Sequence, residues 1–133
     1  HPKAIKEMMK YSIDIDHEHR LIKYKHSGLI FAEDIEEAWN KFLTLEEFTV
    51  FKYNLFSDYR NGKFQIPIDF LPEIMTFMQK IENIIRGKKQ ALIVDEPYSV
   101  AASMIFENEV NIKVGFNVQV FSTEKAALRW LSD

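Results

Sequence analysis

Three polar side chains at the end of a β-prone stretch, Ser57, Asp58 and Arg60, are the residues of this chain best placed to do chemistry. Asp58 and Arg60 are two positions apart, so their side chains can lie on the same side of an extended chain. A carboxylate–guanidinium pair of this kind can orient a polar or anionic ligand. We therefore predict a ligand-binding site at Ser57, Asp58, Tyr59 and Arg60. The alternative is a structural ion pair that holds the following loop.

A second polar group lies where a later strand is expected to meet a helix. A helix N-terminus offers free N–H groups and positive potential, which suit an anion. Asp95, Tyr98 and Ser99 are therefore further candidate ligand-binding residues, although Asp95 or Glu96 acting as a helix cap would explain the acidic pair equally well. Ser99 is also the best candidate for a phosphorylated serine.

Other catalytic and metal-binding patterns are weak in this sequence. His17 and His19 share a polar turn, but two imidazoles are too few for a stable metal site, and His26 fits better as a packed side chain. The sequence contains no cysteine, no glycine-rich phosphate loop, no Gly-x-Ser-x-Gly and no His-Glu-x-x-His. We expect no catalytic residues, no metal and no cofactor.

Composition limits the class of protein further. The chain has 133 residues, 47% of them hydrophobic, and a net charge of −3, which fits one folded domain. No segment is basic enough to bind nucleic acid, and no apolar run is long enough to span a bilayer. The absence of cysteine suits a cytoplasmic protein. We expect residues 1–9 to be a tag remnant or a flexible extension, and residues 10–133 to form the domain.

The periodicity of apolar residues predicts nine elements. Alternation over 11–15 and 21–26 predicts an antiparallel hairpin, and an apolar repeat beginning at Ile35 predicts a helix. The later elements are a strand over 49–57, a helix from an Asp69 cap to Gly87, a buried strand over 91–94, a helix from Pro97, a strand over 116–120, and a final helix capped by Ser122 or Thr123.

This order, β-β-α-β-α-β-α-β-α, predicts a single α/β domain. After the hairpin, strands alternate with helices, which calls for a mainly parallel five-stranded sheet covered by helices. Because ligands bind beyond the carboxyl ends of the strands in such sheets, both polar groups would lie at one edge.

The chain resembles the STAS domain, as in the SpoIIAA-like proteins, and more closely a bacterial branch described as STAS/SEC14-like. The resemblance covers about residues 10–133. It is carried by five segments: Tyr11-Ser12-Ile13-Asp14, Gly28-Leu29-Ile30-Phe31, Leu55 to Arg60, Gln90 to Asp95, and Val120 to Leu131 with its Ala-x-x-Trp-Leu ending.

The resemblance implies a non-enzymatic regulatory or binding module that acts on a partner protein or a small ligand. Anti-sigma factor antagonists of this family carry a phosphorylated serine in an Asp-Ser-x-Gly turn, but this sequence has no such turn, since Ser57 precedes Asp58. That role is therefore not transferred to Ser57.

Two other functions stay open. The eleven Phe and five Met residues, several of them in the helix over 69–86, leave room for an apolar pocket or a homodimer face. Together with the SEC14-like resemblance, they suggest a SEC14-like carrier of a small apolar or lipid-like ligand. The other alternative is a small enzyme or phosphoaspartate receiver that uses Asp58.

Overall fold

The computed structural model describes residues 11–133, so the predicted extension over 1–9 lies outside the described residues. The strands are β1 Tyr11–Asp16, β2 Leu21–His26, β3 Gly28–Ile30, β4 Asn54–Asp58, β5 Gly62–Phe64, β6 Lys89–Ile93 and β7 Asn117–Phe121. The helices are α1 Ala32–Phe42, α2 Glu46–Thr49, α3 Leu71–Lys80, α4 Glu82–Ile85, α5 Pro97–Val114 and α6 Glu124–Leu131, with a 3₁₀ turn at Ile68–Phe70.

The main sheet has five strands in the order β1-β2-β4-β6-β7. β1 pairs with β2 in antiparallel register, and the other neighbours are parallel. One row across the sheet runs through Ile13, Tyr24, Ser57, Leu92 and Val120. This arrangement confirms the predicted mainly parallel sheet with its N-terminal hairpin.

Helices cover both faces of this sheet. The larger core lies under α1, α3 and α5 and is built around Trp39, Phe42, Phe48 and Phe116. The smaller core lies under α6, where Ala127 packs with its neighbours against β2, β4 and β6. Since successive strand residues point to opposite faces, Ser57 and Tyr59 lie on the α1/α3/α5 side, and Asp58 lies on the α6 side. No helix among residues 11–133 is both long and apolar enough to cross a membrane.

The predicted strand over 49–57 is wrong in its first half. The segment starts as the short helix α2, which buries Phe48 completely and leaves Val50 and Phe51 exposed. Lys52 then adopts a positive φ of 60°, and the strand begins only at Asn54. The first β-prone residues of this segment therefore form a turn after α2 instead of a strand, and Phe48 packs in the core.

Two further predictions also need correction. Asp69 does not cap a helix; it lies inside the 3₁₀ turn, and α3 begins at Leu71 without a side-chain cap. The predicted long helix is interrupted at Ile81, where φ is −107°, and continues as the short α4.

A small two-stranded sheet was not predicted from the sequence. β3 and β5 pair in parallel, with Gly28 opposite Gly62 and Ile30 opposite Phe64. A Cβ at Gly62 would lie 2.7 Å from Ile30 Cδ1 and 2.9 Å from the Tyr59 carbonyl oxygen, so only glycine fits there. This small sheet fixes the chain that leaves the carboxyl end of β4.

Candidate functional site

Asp58 and Arg60 form a two-bond ion pair at the end of β4. The Arg60 Nε donates to Asp58 Oδ1 at 3.0 Å, and Nη2 donates to Oδ2 at 2.7 Å. The Arg60 amide also donates to Asp58 Oδ1 at 3.0 Å, and Nη2 lies 3.5 Å from Glu124 of α6. Asp58 is almost fully buried, and both of its oxygens are engaged within the chain.

The electrostatics of this pair follow from these bonds. Burial alone would raise the pKa of Asp58, but the hydrogen bonds and the charge of Arg60 outweigh it and hold the pKa below its usual value. The bond to Asp58 in turn raises the pKa of Arg60. Both groups are therefore charged at neutral pH, and the pair ties the end of β4 to its own loop and to α6.

Ser57 does not join this pair. It is fully buried on the opposite face of the sheet, where its Oγ accepts a hydrogen bond from Gln90 Nε2 at 3.1 Å. The four neighbouring residues predicted as one ligand-binding site are thus divided between two faces. Their roles in binding stay a prediction.

The N-terminus of α5 is capped by Glu96. Its carboxylate accepts hydrogen bonds from the amides of Tyr98 at 3.1 Å and Ser99 at 2.9 Å, and from the Ser99 hydroxyl at 2.8 Å. These bonds, the Ser99 hydroxyl first among them, lower the pKa of Glu96. Asp95 is exposed and is not the cap. Glu96 therefore occupies the place that an anionic ligand would take.

Tyr98 and Ser99 connect α5 to the segment that follows β5. The Ser99 Oγ accepts a hydrogen bond from the Phe64 amide at 3.0 Å, and the Tyr98 hydroxyl donates to the carbonyl oxygen of Ile66. Ser99 is only 1% exposed. Both residues thus hold residues 64–66 in position against α5.

That segment forms one wall of an apolar pocket of about 80 Å³. The other walls come from α3, α5, β6 and the start of α1. The lining residues are Ile35, Tyr59, Phe64, Ile66, Pro67, Ile68, Leu71, Ile74, Leu92, Ala102, Ser103, Ile105 and Phe106. Of the residues predicted to bind a ligand, only Tyr59 is among them.

Ser103 is one of two hydroxyl-bearing residues in the lining of this pocket. It is 3% exposed, and its Oγ has no hydrogen-bond partner among residues 11–133. A buried hydroxyl left without a partner costs about 1–3 kcal/mol. Tyr59, the other hydroxyl-bearing residue of the lining, packs edge-on against Phe64 at 5.1 Å between ring centroids, and burial raises its pKa, so it is neutral.

A second pocket of about 250 Å³ adjoins the first between α1 and α3. Ile35 and Ile74 line both pockets and separate them. Trp39, Phe77 and Met78 are among the other lining residues. The helix that the sequence singled out as rich in Phe and Met therefore does border concave apolar space.

The three histidines among residues 11–133 make structural contacts. His17 forms a hydrogen bond with the Tyr53 hydroxyl at 2.9 Å, and His19 pairs with Asp16 at 2.9 Å. His26 is buried, as predicted, with its Nδ1 2.6 Å from the Tyr24 hydroxyl. Within residues 11–133, no three His, Cys, Asp or Glu side chains are grouped closely enough to hold a metal ion.

Sequence reasoning missed Ser103 and most of the pocket. Ser99 and Ser103 are one helical turn apart on the buried side of α5, and that spacing within the largely apolar first half of the helix is the signal that could have identified Ser103. The remaining lining residues come from distant parts of the chain and carry no common motif.

Comparison with solved structures shows a SpoIIAA-like fold. The chain is similar to an uncharacterised protein of the DUF3478 family with a SpoIIAA-like fold from Shewanella loihica PV-4, at 15% sequence identity and a TM-score of 0.54. The match covers 91% of this chain and 93% of that one. No family model matches the sequence, and no significant match exists among curated proteins. The predicted resemblance to SpoIIAA-like proteins is therefore confirmed at the level of the fold.

Proposed function

We propose that this chain is a non-enzymatic binding module whose small apolar ligand occupies the pocket between residues 64–68, α3 and α5. The observation that carries the proposal is the pocket itself, a concave and almost wholly apolar space at the carboxyl end of β4. Ligands of open α/β sheets bind at this edge, and small-molecule sites are typically apolar with a few polar groups.

The state of the polar residues supports binding over catalysis. Asp58 is bonded to Arg60, Glu96 to Ser99, and Ser57 to Gln90. General bases and nucleophiles need a side chain that can reach a substrate, whereas these groups satisfy one another inside the fold.

The mouth of the pocket supports the same proposal. Ile68 and Ile105 line the pocket and are 44% and 40% exposed, respectively. Large apolar side chains exposed beside a cavity mark places where a ligand or partner covers them. A ligand in this pocket would remove both side chains from water.

Titration of isotope-labelled protein with toluene tests the proposal. We expect toluene to shift the amide signals of residues 102–106 in the wild type. Ala102→Phe, which places a ring in the pocket, should abolish these shifts, and Ala102→Leu provides a smaller substitution if the phenylalanine variant does not fold. Ala126→Phe, on the exposed surface of α6, should leave them unchanged. Toluene shifts that persist in the Ala102 variants would contradict a ligand site here.

A further inference from the structure

Building on the pocket proposed above as a ligand site, we infer that its ligand is a small neutral molecule with one hydrogen-bonding oxygen, such as an alcohol, phenol or ketone, and that this oxygen pairs with the Ser103 hydroxyl. The inference rests on three properties of the pocket: an unpaired hydroxyl, an uncharged lining and a small volume.

The unpaired hydroxyl is the first property. Buried polar side chains almost always have a partner, and an exception calls for an explanation. Ser103 is buried in the pocket lining, and its Oγ finds no partner in residues 11–133. Neighbouring atoms cover this Oγ in the ligand-free chain, so the inferred contact requires the Ser103 side chain to rotate towards the pocket. Because a hydroxyl both donates and accepts, a single ligand oxygen of either kind would then satisfy it.

The uncharged lining is the second property. No Asp, Glu, Lys or Arg of residues 11–133 lines the pocket. The strand-end charges Asp58 and Arg60 belong to a pair on the opposite side of the sheet and are bonded to each other. A carboxylate or phosphate in the pocket would lose its hydration without gaining a counter-charge, which is costly. The lining therefore selects against fatty acids and phosphorylated ligands entering head first.

The small volume is the third property. An apolar cavity of about 150 Å³ holds a benzene molecule. At about 80 Å³, roughly half of that volume, this pocket takes part of a small ring or the end of a longer molecule, and the rest would emerge between Ile68 and Ile105. The hydrogen-bonding oxygen of the ligand thus lies at its inner end, and the apolar part of the ligand lies at the mouth of the pocket.

Three molecules of nearly equal shape test the inference: toluene, phenol and N-methylpyridinium. Dissociation constants are measured from amide shifts in the wild type, in Ser103→Ala and in Ser132→Ala, a control on the exposed end of α6. We expect phenol to bind about 3- to 10-fold more weakly to Ser103→Ala than to the wild type, which is the effect of losing one hydrogen bond. Toluene should bind Ser103→Ala as well as the wild type or better, and N-methylpyridinium should bind neither.

The outcomes separate the two proposals. If toluene binds in the pocket but Ser103→Ala weakens the binding of phenol no more than Ser132→Ala does, the role of Ser103 is overturned and the pocket remains a ligand site. If N-methylpyridinium binds as tightly as toluene, the selection for neutral ligands is overturned. If none of the three binds, both proposals are overturned.

Discussion

The amide of Phe64 donates a hydrogen bond of 3.0 Å to the hydroxyl of Ser99, across a sequence separation of 35 residues. This bond joins β5 to the first turn of α5 and lies directly behind the apolar pocket. Glu96 accepts from the same hydroxyl at 2.8 Å, so the serine both donates and accepts. Ser99, which the sequence marked as a phosphorylation or ligand site, is thus part of the support of the pocket wall.

Replacing this serine should loosen the wall. In Ser99→Ala the buried Phe64 amide loses its partner, so we expect the free energy of unfolding to fall by about 1–3 kcal/mol. Urea unfolding measures the loss, and Ser122→Ala, at an exposed position before α6, should change it by less than about 0.5 kcal/mol. Equal stabilities for the two variants would contradict a structural role for Ser99.

The Asp58–Arg60 pair should make stability depend on acid pH. The pKa of Asp58 is lower in the folded chain than its ordinary value of 3.8, so the pair contributes fully above that value and its contribution is lost as the pH falls through the folded pKa. We expect Asp58→Asn to be less stable than the wild type by about 1–3 kcal/mol at pH 7. This difference should shrink steadily below about pH 4.

Urea unfolding at pH 7, 5 and 3 measures this difference. Asp95→Asn, which changes an exposed carboxylate at a neighbouring strand end, serves as the control and should stay within about 0.5 kcal/mol of the wild type at pH 7. A gap between Asp58→Asn and the wild type that stays constant down to pH 3 would show that the charge of Asp58 is not responsible.

Lys88 should make stability depend on alkaline pH, and here too stability should rise with pH. Lys88 is 6% exposed. Its Nζ donates a hydrogen bond to the Phe48 carbonyl oxygen and lies 4.0 Å from the centroid of the Phe48 ring. Burial, with a smaller effect from the charge of Lys52, lowers the pKa of Lys88 to about 8. The cost of charging Lys88 is therefore fully present below pH 8 and is relieved as the pH rises towards its unfolded value of 10.5.

We expect the free energy of unfolding to rise by about 1–3 kcal/mol between pH 8 and pH 10 in the wild type. The rise should be absent in Lys88→Met and retained in Lys80→Met, which changes an exposed lysine at the end of α3. Burial raises the pKa values of Tyr24 and Tyr59, so these residues lower stability only above pH 10. A flat profile in the wild type would contradict a charged, buried Lys88.

The main sheet could be predicted because its strands have clear patterns. Ile13 and Ile15 alternate with aspartates in β1, and residues 91–94 form an unbroken apolar run in β6. These patterns depend only on neighbouring residues and on which faces are buried, which a sequence displays directly. The candidates for the N-cap of α6 could also be reduced to Ser122 and Thr123. Of these two, Thr123 accepts the hydrogen bond from the Ala126 amide.

The position of the pocket could not be predicted, because it depends on contacts between distant residues. β3 and β5 have three residues each, too few to show a period, yet their pairing directs residues 64–68 over α5. The segment Val50 to Tyr53 has strand-like composition but forms a turn after α2, while Phe48 packs in the core. The sequence likewise placed Asp58 and Tyr59 together, whereas the pleat of β4 sends them to opposite faces.

Intermolecular nuclear Overhauser effects between toluene and the methyl groups of the protein provide the most direct test of the pocket. We expect contacts from toluene to Ile66, Leu92 and Ala102 in the wild type, and their loss in Ala102→Phe. A ligand site between residues 64–68 and α5 would be contradicted if toluene contacts were found only in the second pocket beside Trp39, only on the α6 face of the sheet, or nowhere.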